Sequence, residues 1–378
     1  MTTIIRDNAK NVSVDDGYSF GDTIIVGNGA NDRVNLGGSA MSPALSEHDT
    51  VIVGNGAGDT VNANNSSYDT ITLGNGAGDS VSAIVSSYDK IILGNGANDS
   101  VNLTAGVGLV AGSNHATVIL GNGAGDGVSM FDAWADSITL GNGAGDSVFA
   151  QSEDAGGNDN TITLGNGAGD TVNDFEIGGV VGGGVNDKIT LGDGAGDVVN
   201  INALGATIKL GNGDGDVVNV SGNLALVSLG NGNNDIVMAS HTADSQITVG
   251  NGNDTIYLGS NDTIKVGTGH DSFIFEQTPP SIIEPTPPGN IGATTITGFD
   301  PHKDSFTFSN QLTTSVSYHD NAQGNAVITV DNAGDKITLL GVHPSELHPS
   351  DFHFVDPAEI LPPSSAQQLA EHHASLLL

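Results

Sequence analysis

Residues 69–81 read DTITLGNGAGDSV: a short alternating strand, a glycine-rich corner, an aspartate and the start of a second strand. The phrase returns nearly letter for letter along the chain. Its loop begins at Gly27, Gly54, Gly74, Gly94, Gly121, Gly141, Gly165, Gly192, Gly211, Gly230 and Gly250, mostly 19 or 20 residues apart and 24 or 27 apart where material is inserted. Two shorter units follow, GSNDTIKV from Gly259 and GTGHDSFIF from Gly267. Each long unit has two halves, a GNGAGD loop leading into x-Val-x and a polar bend such as NNSSYD leading into x-Ile-x-Leu. The period-two alternation predicts strands with Ile71, Leu73 and Val81 facing inward and Thr70, Thr72, Ser80 and Ser82 facing solvent.

Strands this short cannot bury a face alone, but stacked copies can, with each backbone group pairing to the coil above or below. Glycine corners allow the tight turns and positive φ angles that a Cβ would oppose. The expected fold is therefore all-β: a parallel β-roll or β-solenoid of about 20-residue coils over residues 21–276, after an N-terminal cap at 1–20. Inserts such as GSAMSPALSEH (38–48) and TAGVGLVAGSNH (104–115) are expected to bulge from one side.

Composition narrows the function. A formal charge of −35, with 44 acidic residues against nine basic ones, cannot neutralise phosphates and excludes a nucleic-acid partner; it also opposes an anionic membrane. Regularly spaced Ile, Val and Thr distinguish the chain from an acidic disordered one. With no cysteine, disulfides and thiolate chemistry are excluded. The start, MTTIIRDNAK, has no basic-then-apolar signal pattern, and no stretch reaches the length of a membrane-spanning helix.

Stacking the coils stacks their aspartates: Asp59, Asp79, Asp99, Asp126, Asp146, Asp170, Asp197, Asp216 and Asp235 in the long loops, then Asp254, Asp262 and Asp271 in the short ones. Neighbours about 4.8 Å apart repel by roughly 1 kcal/mol in water and several-fold more in a less polarisable setting. Nine basic residues are too few to compensate. A hard divalent cation held by carboxylates and loop carbonyls is the expected remedy, and calcium accepts such adaptable all-oxygen surroundings better than magnesium. The candidate metal ligands are these aspartates together with the corner glycines Gly250, Gly252, Gly267 and Gly269. Two metal-free arrangements fit the same pattern. Asn28, Asn55, Asn75, Asn95, Asn122, Asn142 and Asn166 can stack as an amide ladder, and an aspartate before a strand can accept backbone N–H bonds.

Residues 249–275, VGNGNDTIYLGSNDTIKVGTGHDSFIF, resemble the calcium-binding nonapeptides of the RTX (repeats-in-toxin, haemolysin-type) family. The resemblance implies a right-handed β-roll with calcium between successive loops, and weak sites that leave the chain unfolded inside the cell and fold it outside. The long loops depart from the pattern. LGNGAGD carries one more residue before its aspartate than VGNGND, Ala57 or Ala77 takes an interior position, and alternate loops such as NNSSYD have no glycine. Calcium is accordingly expected on one edge of the solenoid at most, and at the tighter loops around Asp254 to Asp271.

QTPPSIIEPTPPGN (277–290) reads as a stiff proline-rich linker. Beyond it, Ile296, Gly298, Phe299, Asp304, Phe306 and Phe308 carry an I-x-G-F-x4-D-x-F-x-F pattern resembling the C-terminal module that follows RTX repeats in proteins exported by type I secretion. A small β cap at 291–356 with a core of Phe299, Phe306, Phe308, Phe352 and Phe354 is expected, then a tail at 357–378 holding an uncleaved export signal for the type I secretion apparatus. The histidines, seven of eleven after residue 300, read as scattered surface residues.

Enzymes of β-helical form that act on acidic sugars need cationic groups; Arg6 and Arg33 are the only arginines, and no nucleophile or metalloprotease motif appears. The expectation is a non-enzymatic, secreted or cell-surface protein in one of two roles. One is a calcium-stiffened structural or matrix component that self-assembles. The other is a binding module for a surface glycan, or less readily ice, whose rows of Thr70 and Thr72, Ser137 and Thr139, Thr161 and Thr163 are interrupted by Lys90, Lys188 and Lys209.

Overall fold

The structure is a computed structural model. It describes residues 2–17, 20–37, 46–104, 114–152, 159–176, 186–275, 291–309, 316–330 and 335–355. The linker at 277–290, the tail at 357–378 and most of the two inserts lie outside the described residues. The chain divides into two compact units, residues 1–214 and 215–378.

In the first unit every coil gives one strand to each of two parallel sheets, so the molecule is a parallel β-solenoid. In one sheet Thr50–Val53, Thr70–Thr72 and Lys90–Ile92 pair in register, with Val51, Ile71 and Ile91 opposite one another. In the other, Thr60–Asn62, Ser80–Ser82 and Ser100–Thr104 align Val61, Val81 and Val101. Ile71, Leu73 and Val81 are buried, as their alternation requires. On the outer faces Thr70 is exposed, whereas Thr72, Ser80 and Ser82 are half-buried beneath their neighbours in adjacent coils. Stacking begins within the N-terminal twenty residues: Thr3–Ile5 pairs with Thr23–Val26, and Ser13–Asp15 with Arg33–Asn35, both parallel.

The corners explain the glycines. A Cβ on Gly76 would stand 1.6 Å from the Gly56 carbonyl oxygen of the preceding coil, so nothing but hydrogen fits there. Gly78 has open space around it but φ of +73°, a backbone state that side chains other than Asn and Asp resist.

The second unit repeats the plan. Ile256 lies between Val237 and Phe273 in one sheet, and Thr263–Lys265 pairs with Gln246–Thr248 in the other. The segment after the linker continues this ladder: Ala293–Thr297 pairs parallel with Thr263–Lys265, and Ser305–Ser309 with Ser272–Phe275. Aliphatic stacking gives way to aromatic here, with Phe273, Phe275, Phe306 and Phe308 fully buried and Phe299 against Phe306 at 5.0 Å. Phe352 is half-buried and Phe354 is 38% exposed, so the expected five-phenylalanine core loses its last member to the surface. Parallel growth stops at Asp335–Leu340, whose partner Ala326–Val330 runs antiparallel and pairs in turn with Val316–Asp320. Among the described residues no helix is long and apolar enough to cross a membrane.

Candidate metal centre

Each GNGAGD loop drops its aspartate into the interior just before a strand. Asp59, Asp79, Asp99, Asp126, Asp146 and Asp170 are all buried. One carboxylate oxygen is spoken for at every step. The backbone N–H of Asp59 donates to Asp79 Oδ1 at 2.9 Å, that of Asp79 to Asp99 at 2.9 Å, and that of Asp126 to Asp146 at 3.0 Å. The other oxygen, Oδ2, has no hydrogen-bond partner in Asp32, Asp59, Asp79, Asp99, Asp126, Asp146 or Asp170. It faces the glycine corner: Asp79 Oδ2 lies 3.0 Å from where a Cβ of Gly76 would sit, beside the Gly56 carbonyl. Asp197 continues the column by receiving the N–H of Asp170 at 3.0 Å.

The second unit builds the same column. Asp216 donates to Asp235 at 3.0 Å, Asp235 to Asp254 at 3.2 Å, and Asp254 to Asp271 at 3.1 Å. Oδ2 of Asp254 and Asp271 again lacks a partner. Gly252 and Gly269 form the corner, each in van der Waals conflict with any Cβ, as do Gly250 and Gly267. Asp304 closes the column, because its Oδ1 takes the N–H of Asp271 and its Oδ2 that of Asp300.

Asp262 does not belong with its sequence neighbours. One nonapeptide makes half a coil, so consecutive aspartates alternate between edges, and Asp262 stands in a second column before the other sheet. The first unit's second column holds Asp22, Asp49, Asp69, Asp89, Asp136 and Asp187, all buried and absent from the candidate list drawn from sequence. The signal was present as the Asp before each x-Ile-x-Leu strand. This edge is finished differently. The Ser66 hydroxyl donates to Asp69 Oδ2 and that of Ser86 to Asp89 Oδ2; Thr242 Oγ1 donates to Asp262 Oδ2 at 3.0 Å. Asp136 departs from this finish, with Ala133 three residues before it in the serine position and its Oδ2 unpartnered.

Burial pushes the carboxyls of Asp59, Asp99, Asp146 and Asp170 up to about 6, the incoming N–H opposing and the neighbouring carboxylates adding to the rise. Burial likewise takes Asp254 to about 7 and Asp271 to about 6. On the serine edge Asp69 and Asp89 reach about 7 despite their hydroxyl partners, and Asp136 about 8. Each column thus holds acids that bind a proton, or a cation, far more readily than exposed carboxylates do. Among the described residues no group of three or more His, Asp or Glu side chains converges to hold a metal. A cation on the glycine edge would rest on the unpartnered Oδ2 atoms and loop carbonyls, an all-oxygen set suited to a hard ion. Where Ser66, Ser86 and Thr242 fill that role, the serine edge does not fit one.

Outside this interior chemistry, Asn28, Asn55, Asn75 and Asn95 form the amide ladder, with Nδ2 to Oδ1 distances of 3.1 to 3.2 Å between successive coils. A second surface column was not legible beforehand. Phe20, His48, Tyr68, Tyr88, His115 and Trp134 form a column of successive ring contacts with centroids 5.6, 4.9, 4.8, 4.8 and 5.5 Å apart, stacked from His48 to His115 and tilted at the Phe20 and Trp134 ends. His48, Tyr68, Tyr88 and His115 hold φ between +58° and +65°, a conformation costing such residues roughly 1–2 kcal/mol each. Stacked aromatic pairs return about 0.5–1.5 kcal/mol each, so the column gains little over the Asn186, Gly205 and Asn261 found at the same corner elsewhere. In the second unit, His302, His348 and His353 line a cleft of about 480 Å³ with Asp304 and Asp351; the rings of His302 and His348 are 6.3 Å apart, closer than their scatter in sequence suggests.

No protein-family model matches the chain, and no curated protein matches it in sequence.

Proposed function

We propose that the chain is a calcium-binding structural repeat protein of the cell exterior, exported unfolded and folding where calcium is plentiful. One observation carries the reading: in coil after coil of the glycine edge, a buried carboxylate oxygen has no hydrogen-bond partner while burial raises the pKa of its carboxyl. A dicationic ligand for those oxygens removes both the desolvation penalty and the mutual repulsion, and its binding energy becomes folding energy. The RTX-like residues 249–275 and the module-like residues 291–309 support export by type I secretion. The structural role rests on the extent of the repeat, and the reading assigns the chain no reaction.

A second reading is favoured by the Asp-to-Asp N–H bonds. They complete a ladder without metal, leaving protons on the columns. Calcium titration of the chelated chain, followed by far-ultraviolet circular dichroism with bound metal counted at saturation, separates the two. Strand signal and bound calcium rising together support the first. A chain fully folded in chelator that takes up no calcium leaves only the second.

A further inference from the structure

The aromatic column has the same order from either end: an aromatic ring, histidine, tyrosine, tyrosine, histidine, an aromatic ring, from Phe20 to Trp134. Its symmetry is positional as well as chemical. The four central rings stand on the positive-φ corner residue of their coils, whereas Phe20 and Trp134 both stand one residue earlier, before Gly21 and Ala135 at the corner. Both make a parallel bridge to the adjacent histidine coil, Phe20 to Glu47 and Trp134 to Asn114. The symmetry runs on into the adjoining strands. Both histidine coils continue with an outward threonine and isoleucine, Thr50 and Ile52 in one, Thr117 and Ile119 in the other, and those isoleucines are 42% and 37% exposed. A two-fold axis crossing the column between Tyr68 and Tyr88 would exchange each of these residues for its like.

The fold does not require the column. Its bulky residues hold a strained corner that Asn186 and Asn261 occupy elsewhere, and strain that packing does not repay points to function. Nor do the rings offer a stacking site. Tyr68 and Tyr88 are covered on both faces, with interplanar angles of 8°, 3° and 21° between His48 and His115, and the tilted Phe20 and Trp134 close the ends. A ligand that binds by stacking, such as a sugar ring, finds no open face between those ends. What remains exposed is a row of ring edges about 24 Å long at one strand spacing per step.

The geometry points to this row as the interface of a two-fold dimer, in which it meets the same row of a second copy running antiparallel. An isologous contact needs a patch that complements itself under that rotation. The pairing sets Tyr68 of one copy against Tyr88 of the other, His48 against His115 and Phe20 against Trp134. Local charge permits it. The outward positions of the four adjoining strands hold no carboxylate, although the chain has 44 acidic residues, and their one charged residue, Lys90, falls opposite Thr70 rather than itself. Six rings, each about half exposed, contribute roughly 100 Å² apiece. The two isoleucines and the threonines beside them bring each copy near the about 800 Å² of a stable complex. The assignment supplies the structural role proposed above with an assembly surface, and needs only the folded solenoid.

The test is sedimentation velocity of the full chain over a concentration series at physiological ionic strength. It is run in buffer where circular dichroism shows the folded state, so that a failure of calcium-driven folding is seen separately. A monomer–dimer equilibrium is expected. Tyr68→Asn combined with Tyr88→Asn installs the residue that other coils use at this corner. It should weaken the dimer about thirtyfold or more, as loss of central aromatic anchors does, with the circular dichroism spectrum unchanged. Because the chain has no cysteine, cross-linking reads the orientation. Under oxidation, Phe20→Cys mixed with Trp134→Cys should give a disulfide-linked dimer, and neither variant alone should. A monomer at every concentration, a dimer that the asparagine pair leaves intact, or Phe20→Cys joining to itself overturns the assignment. So does a monomer whose retention on cellulose the asparagine pair abolishes, because the column then belongs to a glycan.

Discussion

Gly76 and Gly78, two residues apart in one loop, answer different demands, and substitution distinguishes them. At Gly76 a methyl group would overlap the Gly56 carbonyl oxygen. Gly76→Ala is expected to cost more than about 3 kcal/mol or to prevent folding, as overpacking against rigid backbone does. At Gly78 only the positive φ matters, and Asn98 holds φ of +62° at the same place one coil later; Gly78→Asn should change stability by less than about 1 kcal/mol. Denaturant unfolding of the two variants checks both. Asp136 offers a gain. Ala133→Ser supplies the hydroxyl that Ser66 and Ser86 give their aspartates, and should stabilise the protein by about 1–2 kcal/mol. It should also bring Asp136 down from about 8 toward the about 7 of Asp69 and Asp89, readable by carboxyl-carbon NMR titration. An unchanged titration would show that burial alone sets its acidity.

The strand and corner were legible because their physics is local. Alternation alone places Ile71 and Val81 inside, and a glycine run announces a corner. Column membership was not legible, because spacing along the chain does not say which sheet the next strand joins; Asp262, eight residues from Asp254, sits on the opposite edge. Nor was the aromatic column, since Phe20, His48, Tyr68 and Trp134 share no letter and become a series only when stacked. The columns predict a pH dependence. An acid whose folded pKa lies above its unfolded value of 3.8 binds more protons folded than unfolded between the two, so its contribution is greatest below about 4 and is lost as pH rises through the folded value. With Asp59, Asp99, Asp146 and Asp271 at about 6, Asp254 at about 7 and Asp136 at about 8, the chelated protein should lose stability steadily from pH 4 to pH 8. Thermal melts across that range check the slope. A metal-free melting temperature that rises with pH instead would mean the columns are neither buried nor coupled as the geometry has them.

Across the whole chain, a charge of −35 creates two repulsions that respond differently to added ions. Surface charges lie many ångströms apart and are weakened by any salt, since the screening length is about 8 Å at physiological ionic strength. Aspartates within a column are about 4.8 Å apart, closer than that length and shielded from solvent, so a diffuse ion atmosphere cannot separate them. Only an ion that enters the column relieves it. Sodium, magnesium and calcium chlorides compared at matched ionic strength should therefore not be equivalent. Sodium should raise the melting temperature at pH 7.5 modestly through the surface term. Magnesium should add little beyond it, because it keeps its waters and demands an octahedron that one carboxylate oxygen and a loop carbonyl per coil do not supply. Calcium should raise it far more, by an amount that grows with concentration as linkage requires, and should flatten the decline with pH because the cation replaces the proton on the glycine edge. The serine edge, finished by hydroxyls, should keep its residual proton dependence even at saturating calcium. If calcium and sodium stabilise equally at matched ionic strength, only the surface repulsion is being relieved, and the columns are held by protons and backbone N–H bonds.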